Sequence, residues 1–131
     1  MSVDPRRAIL GAWRLVHSVE VGPGGDKRYP FGEDAIGYII YTESGVMAVQ
    51  ITRRVRAPAG PEGVVGKKDY LAYFGRYELD TGKGVVRHRL EGQLLPGDHP
   101  DNLERKYHFY EDKLSLKPVD GTDREILWQR V

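Results

Sequence analysis

The 131-residue chain contains no cysteine. Disulfides, zinc–thiolate sites, iron–sulfur clusters and cysteine nucleophiles are thereby excluded. A small secreted domain often depends on disulfides, so the same absence favours an intracellular, cytoplasmic protein. An excess of either charge is also lacking: 20 basic residues face 19 acidic ones, for a formal net charge of +1. Nucleic-acid binders concentrate positive charge to neutralise phosphates, so no nucleic-acid partner is expected. No apolar run approaches the ~20 residues of a membrane helix. The stretch Met1 to Leu10 carries Asp4, Arg6 and Arg7 where a signal peptide would carry an apolar core. No membrane partner is expected.

Strong helix signals are scarce too. Asp4 followed by Pro5 predicts one short N-terminal helix to Leu10, stopped by Gly11. The rest of the chain reads as strands. Trp13 to Val21 alternates, with Trp13, Leu15, His17, Val19 and Val21 on one face. Gly37 to Thr42 and Val46 to Thr52 form a hairpin around Glu43-Ser44-Gly45. Arg53 to Gly66 reads as a loop, and Lys67 to Ala72 as a short helix. Tyr73 to Leu79, Val85 to Leu95, Leu103 to Tyr110, Lys113 to Pro118 and Glu125 to Val131 follow as strands. Gly (16) and Tyr (8) are plentiful, which suits short strands joined by tight turns. Helices do not alternate with strands, so a parallel sheet is not expected. The reading is all-β: one domain over residues 1–131, an eight-stranded up-and-down antiparallel barrel whose closure removes exposed edges.

Barrel interiors hold ligands, so parity selects the candidate residues. His88 shares a face with Val86, Leu90, Gly92 and Leu94, and His17 with Trp13, Leu15 and Val19; both are expected inward. Each is a candidate acid–base group, or a core histidine bonded to a polar neighbour. Arg105 alternates with Leu103, Tyr107 and Phe109 and is also expected inward. A buried guanidinium needs a partner, either a ligand carboxylate or enolate or an internal acid such as Glu91. Tyr41, Tyr73, Tyr77 and Tyr107 offer aromatic walls with hydroxyl tips, and Leu90 an apolar contact beside His88. His99, in a Pro-flanked turn, and His108 are expected to be exposed. The four histidines show no helical i, i+4 pair and no adjoining carboxylate cluster, so neither a metal nor another cofactor is expected. Arg53-Arg54-Val55-Arg56 and Lys67-Lys68 read as a solvated loop.

Gly11-Ala12-Trp13 near the start and Trp128-Gln129-Arg130 near the end resemble the lipocalin superfamily. The resemblance implies that Trp13 closes one barrel end with Arg130 packed across its ring, a structural pair. Tyr29-Pro30-Phe31-Gly32, Gly37 to Thr42, Gly45-Val46-Met47, Phe74-Gly75-Arg76-Tyr77, Val86-Arg87-His88 and Leu127 to Arg130 resemble the lipocalin-like domain family of bacteria and fungi. The chain differs where such relatives carry paired His and paired Arg, having Arg87-His88 and Arg105-Lys106. The family is functionally mixed, so fold does not choose the activity. The first expectation is a barrel that holds a small hydrophobic or aromatic metabolite. The alternative is a cofactor-independent isomerase, cyclase, lyase or hydratase of a biosynthetic pathway, working in the same cavity through His88, His17 and Arg105. A third is an interaction module with a filled core. The sequence leaves open whether the protein forms a homodimer.

Overall fold

The computed structural model describes residues 4–56 and 69–131. Helix α1 (Pro5–Ala8) is a single turn, capped by the Asp4 carboxylate on the Arg6 amide at 3.1 Å. Nine strands follow: β1 (Gly11–Val21), β2 (Lys27–Arg28), β3 (Ile36–Tyr41), β4 (Val46–Thr52), β5 (Tyr70–Asp80), β6 (Val85–Gln93), β7 (Asn102–Tyr110), β8 (Lys113–Pro118) and β9 (Arg124–Arg130). All pairings are antiparallel and run β1-β3-β4-β5-β6-β7-β8-β9, and β9 pairs back onto β1. The result is a closed eight-stranded barrel. The two-residue β2 lies outside the ring, paired only with Glu20 and Val21 at the end of β1.

One end of the barrel is sealed. Trp13 donates its indole N–H to the Ile9 carbonyl at 2.9 Å, which ties the ring to the residue that follows α1. The Arg130 guanidinium covers the other face of the seal, 4.1 Å from the indole centroid. It also donates to the Leu10 carbonyl at 2.8 Å and to that of Ala8. Gly11 fits between them: its φ of +109° is closed to most side chains, and a Cβ there would sit 3.4 Å from Arg130 Nη1. Ile9, Trp13, Tyr41, Met47, Leu114 and Trp128 are buried in one core with Ile39, Ile51 and Val86.

Three sequence readings are corrected. The segment Lys67 to Ala72 is not a helix over its described part: Tyr70, Leu71 and Ala72 pair with Thr52, Ile51 and Gln50 as the start of β5. Lys67 and Lys68 lie outside the described residues, as does the reading of a loop from residue 57 to Gly66.

The other two corrections come from bulges, which add one residue to a strand and reverse its parity. On β1 the register passes from Leu15–Trp128 to His17–Leu127, so Val16 is the extra residue. Beyond it Ser18 turns inward, and His17 shares the outer face with Glu125 and Leu127. Between β5 and β6 the register passes from Phe74–Gly92 to Gly75–Leu90, so Glu91 is the extra residue. Gly92 and Leu94 thus leave the face of His88, Leu94 being exposed, and Gln93 takes the inner side. Gly75 permits this crossing, because a Cβ there would fall 1.9 Å from the Arg89 carbonyl oxygen.

Candidate functional site

Toward the end opposite Trp13 the barrel keeps a cavity of about 50 Å³. Its apolar wall comes from Ile39, Val49, Ile51, Leu71, Leu103, Leu116, Ile126 and Trp128; its polar wall comes from Tyr73, His88, His99, Arg105 and Arg124. Wider hollows of about 290 and 360 Å³ lie on the outer surface, beside Arg6 and Glu78 and over Tyr38 and Gln50.

His88 is 1% exposed, in the middle of β6. Its Nε2 lies 2.7 Å from the Tyr41 hydroxyl and its Nδ1 2.8 Å from the Tyr73 hydroxyl. Burial, reinforced by the Arg105 guanidinium, pushes the imidazole down to about 3, so it is neutral at physiological pH. Burial raises both phenols well above their ordinary value, so each keeps its proton. Tyr41 makes the His88 bond from outside the cavity, packed edge-on against Tyr77 at 4.8 Å.

Arg105 stands across from Val86 and Pro118 and faces the same cavity. It donates to the carbonyl of Glu104 at 3.0 Å and makes no ion pair among the described residues. Glu91 is not its partner, because the bulge leaves that carboxylate on the outer surface, 3.6 Å from Arg76. The nearby Asp120 carboxylate is exposed and bonded to Thr122; those bonds, with a smaller contribution from Arg105, hold it below the usual carboxylate value.

The remaining predicted residues lie elsewhere. His17 is on the outer face, where its Nε2 meets Glu125 at 2.8 Å, and the other oxygen of Glu125 accepts from the Ser115 hydroxyl at 2.7 Å. The bulge at Val16 is the physical reason. Tyr77 spends its hydroxyl on the Thr42 carbonyl at 2.7 Å. Tyr107 stacks obliquely on Phe109 at 5.5 Å, and Leu90 packs on the core; neither reaches the cavity wall. Arg53, Arg54 and Arg56 are each occupied, on Asp69, Asp34 and the Tyr70 ring.

Two cavity residues escaped the sequence reading. His99 is not exposed: the loop after β6 folds back, and the Gln93 amide clamps both the N–H and the C=O of His99, at 2.9 and 3.1 Å. Its ring meets Tyr73 edge-on at 5.5 Å. Arg124 lies one residue before the predicted last strand and pairs with Glu20 at 3.3 Å. Neither placement is marked in the sequence: the first follows from the inward turn of Gln93 after the bulge, and the second from the pairing of Glu20 with Arg124. Among the described residues, no group of three His, Asp or Glu side chains is placed to hold a metal.

No curated protein matches the chain. Among solved structures, a lipocalin-like protein from Bacteroides uniformis ATCC 8492 is similar over 95% of this chain and 99% of its own. Its TM-score is 0.56 at 12% identity, a likeness of fold. The lipocalin-like domain family matches residues 10–129. With its closed antiparallel barrel, the Trp13–Arg130 seal and that match over nearly its whole length, the chain belongs to the lipocalin-like domain family.

Proposed function

We propose that the barrel binds a small apolar or aromatic molecule that carries an anionic oxygen group, with that group directed into the interior cavity. The observation that carries this reading is Arg105: a guanidinium on the wall of a largely apolar cavity, with no ion pair among the described residues. A partly buried cation on an apolar wall calls for an anion, and a guanidinium matches a carboxylate in two hydrogen bonds. The cavity is far smaller than the ~300–1,000 Å³ of pockets that enclose drug-sized ligands. It suits the polar head of a ligand.

Binding is favoured over catalysis by the state of His88. A general base works best when its pKa lies near the working pH. An imidazole pushed down to about 3 is a weak base, and His17, the other candidate, is outside the barrel. The isomerase, cyclase, lyase or hydratase reading loses both of its proton carriers.

The test is calorimetric titration of aromatic carboxylates, benzoate first, alongside mass spectrometry of protein purified under native conditions. Saturable binding at one molecule per chain is expected, weakened at least ~10-fold by Arg105→Ala. Binding unchanged in a folded Arg105→Ala protein would refute the reading.

A further inference from the structure

Tyr41, His88 and Tyr73 form a closed hydrogen-bonding set. Among the described residues none of the three side chains has a polar partner outside it. A neutral imidazole has one N–H and one lone pair, and each phenol has one O–H. The two bonds therefore use two of three hydrogens, and one hydroxyl hydrogen is left over. The tautomer decides where it sits. With the proton on Nε2, His88 donates to Tyr41 and Tyr73 donates to Nδ1. The spare hydrogen then belongs to Tyr41, which is 1% exposed, lies off the cavity and has no other acceptor among the described residues. A buried donor without an acceptor is rare because it is costly. With the proton on Nδ1, Tyr41 donates to Nε2, Nδ1–H donates to the Tyr73 oxygen, and the spare hydrogen belongs to Tyr73 on the cavity wall.

We propose that His88 is the Nδ1–H tautomer, fixed by Tyr41, and that it leaves the Tyr73 hydroxyl hydrogen free to point into the cavity, where with Arg105 it forms a two-donor site for a carboxylate or enolate oxygen. The proposal rests on the interior-binding reading above and adds the donor and the group that aims it. Trp128, also on the wall, has a buried indole N–H with no acceptor among the described residues. His88 does not touch the ligand in this scheme. It is a positioning residue, and its low basicity suits that task because a protonated ring could no longer accept from Tyr41.

The test uses the intact chain with 15N-labelled histidine. Long-range 1H–15N spectra are expected to show Nδ1 of His88 with the shift of a protonated nitrogen and Nε2 with that of a bare lone pair. The reverse pattern overturns the proposal, whatever binds. Acetate is the probe for the anion site, being small enough for the cavity. It is expected to shift the His88 signals saturably, and to bind Tyr73→Phe at least ~10-fold more weakly. Equal acetate affinity in a folded Tyr73→Phe protein overturns the donor assignment and spares interior binding. No response to acetate in a chain that binds benzoate overturns the oxyanion site and likewise spares it.

Discussion

Arg130 lies 4.1 Å above the Trp13 ring and donates to the carbonyls of Leu10 and Ala8, so one side chain from the last strand fixes both the indole and the chain that leads into the first. The bonds are to backbone and the guanidinium lies over the ring face, so charge alone does not reproduce the contact. Trp13→Ala is expected to cost roughly 3–5 kcal/mol, the range for emptying a large buried aromatic site. Arg130→Lys keeps the charge and loses the fork, and is expected to cost about 1 kcal/mol. Urea unfolding followed by circular dichroism measures both. A lysine variant as stable as the parent would show that the seal is electrostatic only.

His88 makes stability depend on pH, and the sign follows from its depressed pKa. The unfolded chain binds a proton on this ring below about 6.5, while the folded ring stays neutral down to about 3. Between those values the unfolded state binds more protons, so stability falls as pH falls, by up to about 1.4 kcal/mol per unit from this residue. Above about 6.5 the residue contributes no slope. Denaturant midpoints taken from pH 7 to pH 4 should show the decline, and the same series on His88→Gln should show it reduced. Equal slopes in the two proteins would place the proton uptake elsewhere.

The outward turn of His17 separates it from whatever the barrel holds. Its bond to Glu125 is partly solvent-exposed, so His17→Ala is expected to cost less than about 1 kcal/mol and to leave benzoate affinity unchanged. Glu125→Ala is expected to cost more, about 1–3 kcal/mol, because the buried Ser115 hydroxyl loses its acceptor. A His17→Ala protein that folds and binds benzoate ~10-fold more weakly would return His17 to the ligand site.

The barrel was legible in the sequence because alternation and turn residues act locally. The short N-terminal helix, the hairpin at Gly45 and the outlines of the later strands follow from adjacent residues, and Gly11, Trp13 and Arg130 carry a recognisable pattern. Parity also placed His88 and Arg105 on the inner wall, since no bulge falls between Val86 and Leu90 or between Leu103 and Tyr107. It failed at His17, Gly92 and Leu94 because a bulge is a property of two paired strands. Neither Val16 nor Glu91 announces one. The one available cue was Gly75, a glycine inside a strand, which marks a close approach of backbones. His99 was misplaced for a related reason: turn residues such as Pro96 and Gly97 show that the chain bends, and the clamp that folds it back is made by Gln93, beyond the bulge.

The pairing of β1 with β9 also governs when this barrel can exist. The bond from Arg130 to Leu10 spans 120 positions, and besides β1 the strand paired with β9 is β8. Folding rates fall as contacting residues lie farther apart along the chain. During synthesis the strands from β3 to β8 can meet in sequence, while β1 waits with one edge unpaired and the Trp13 ring without its cover. Only when β9 leaves the ribosome does the seam close. Until then β1 and β8 each present an unpaired strand edge, the feature through which strands misassociate.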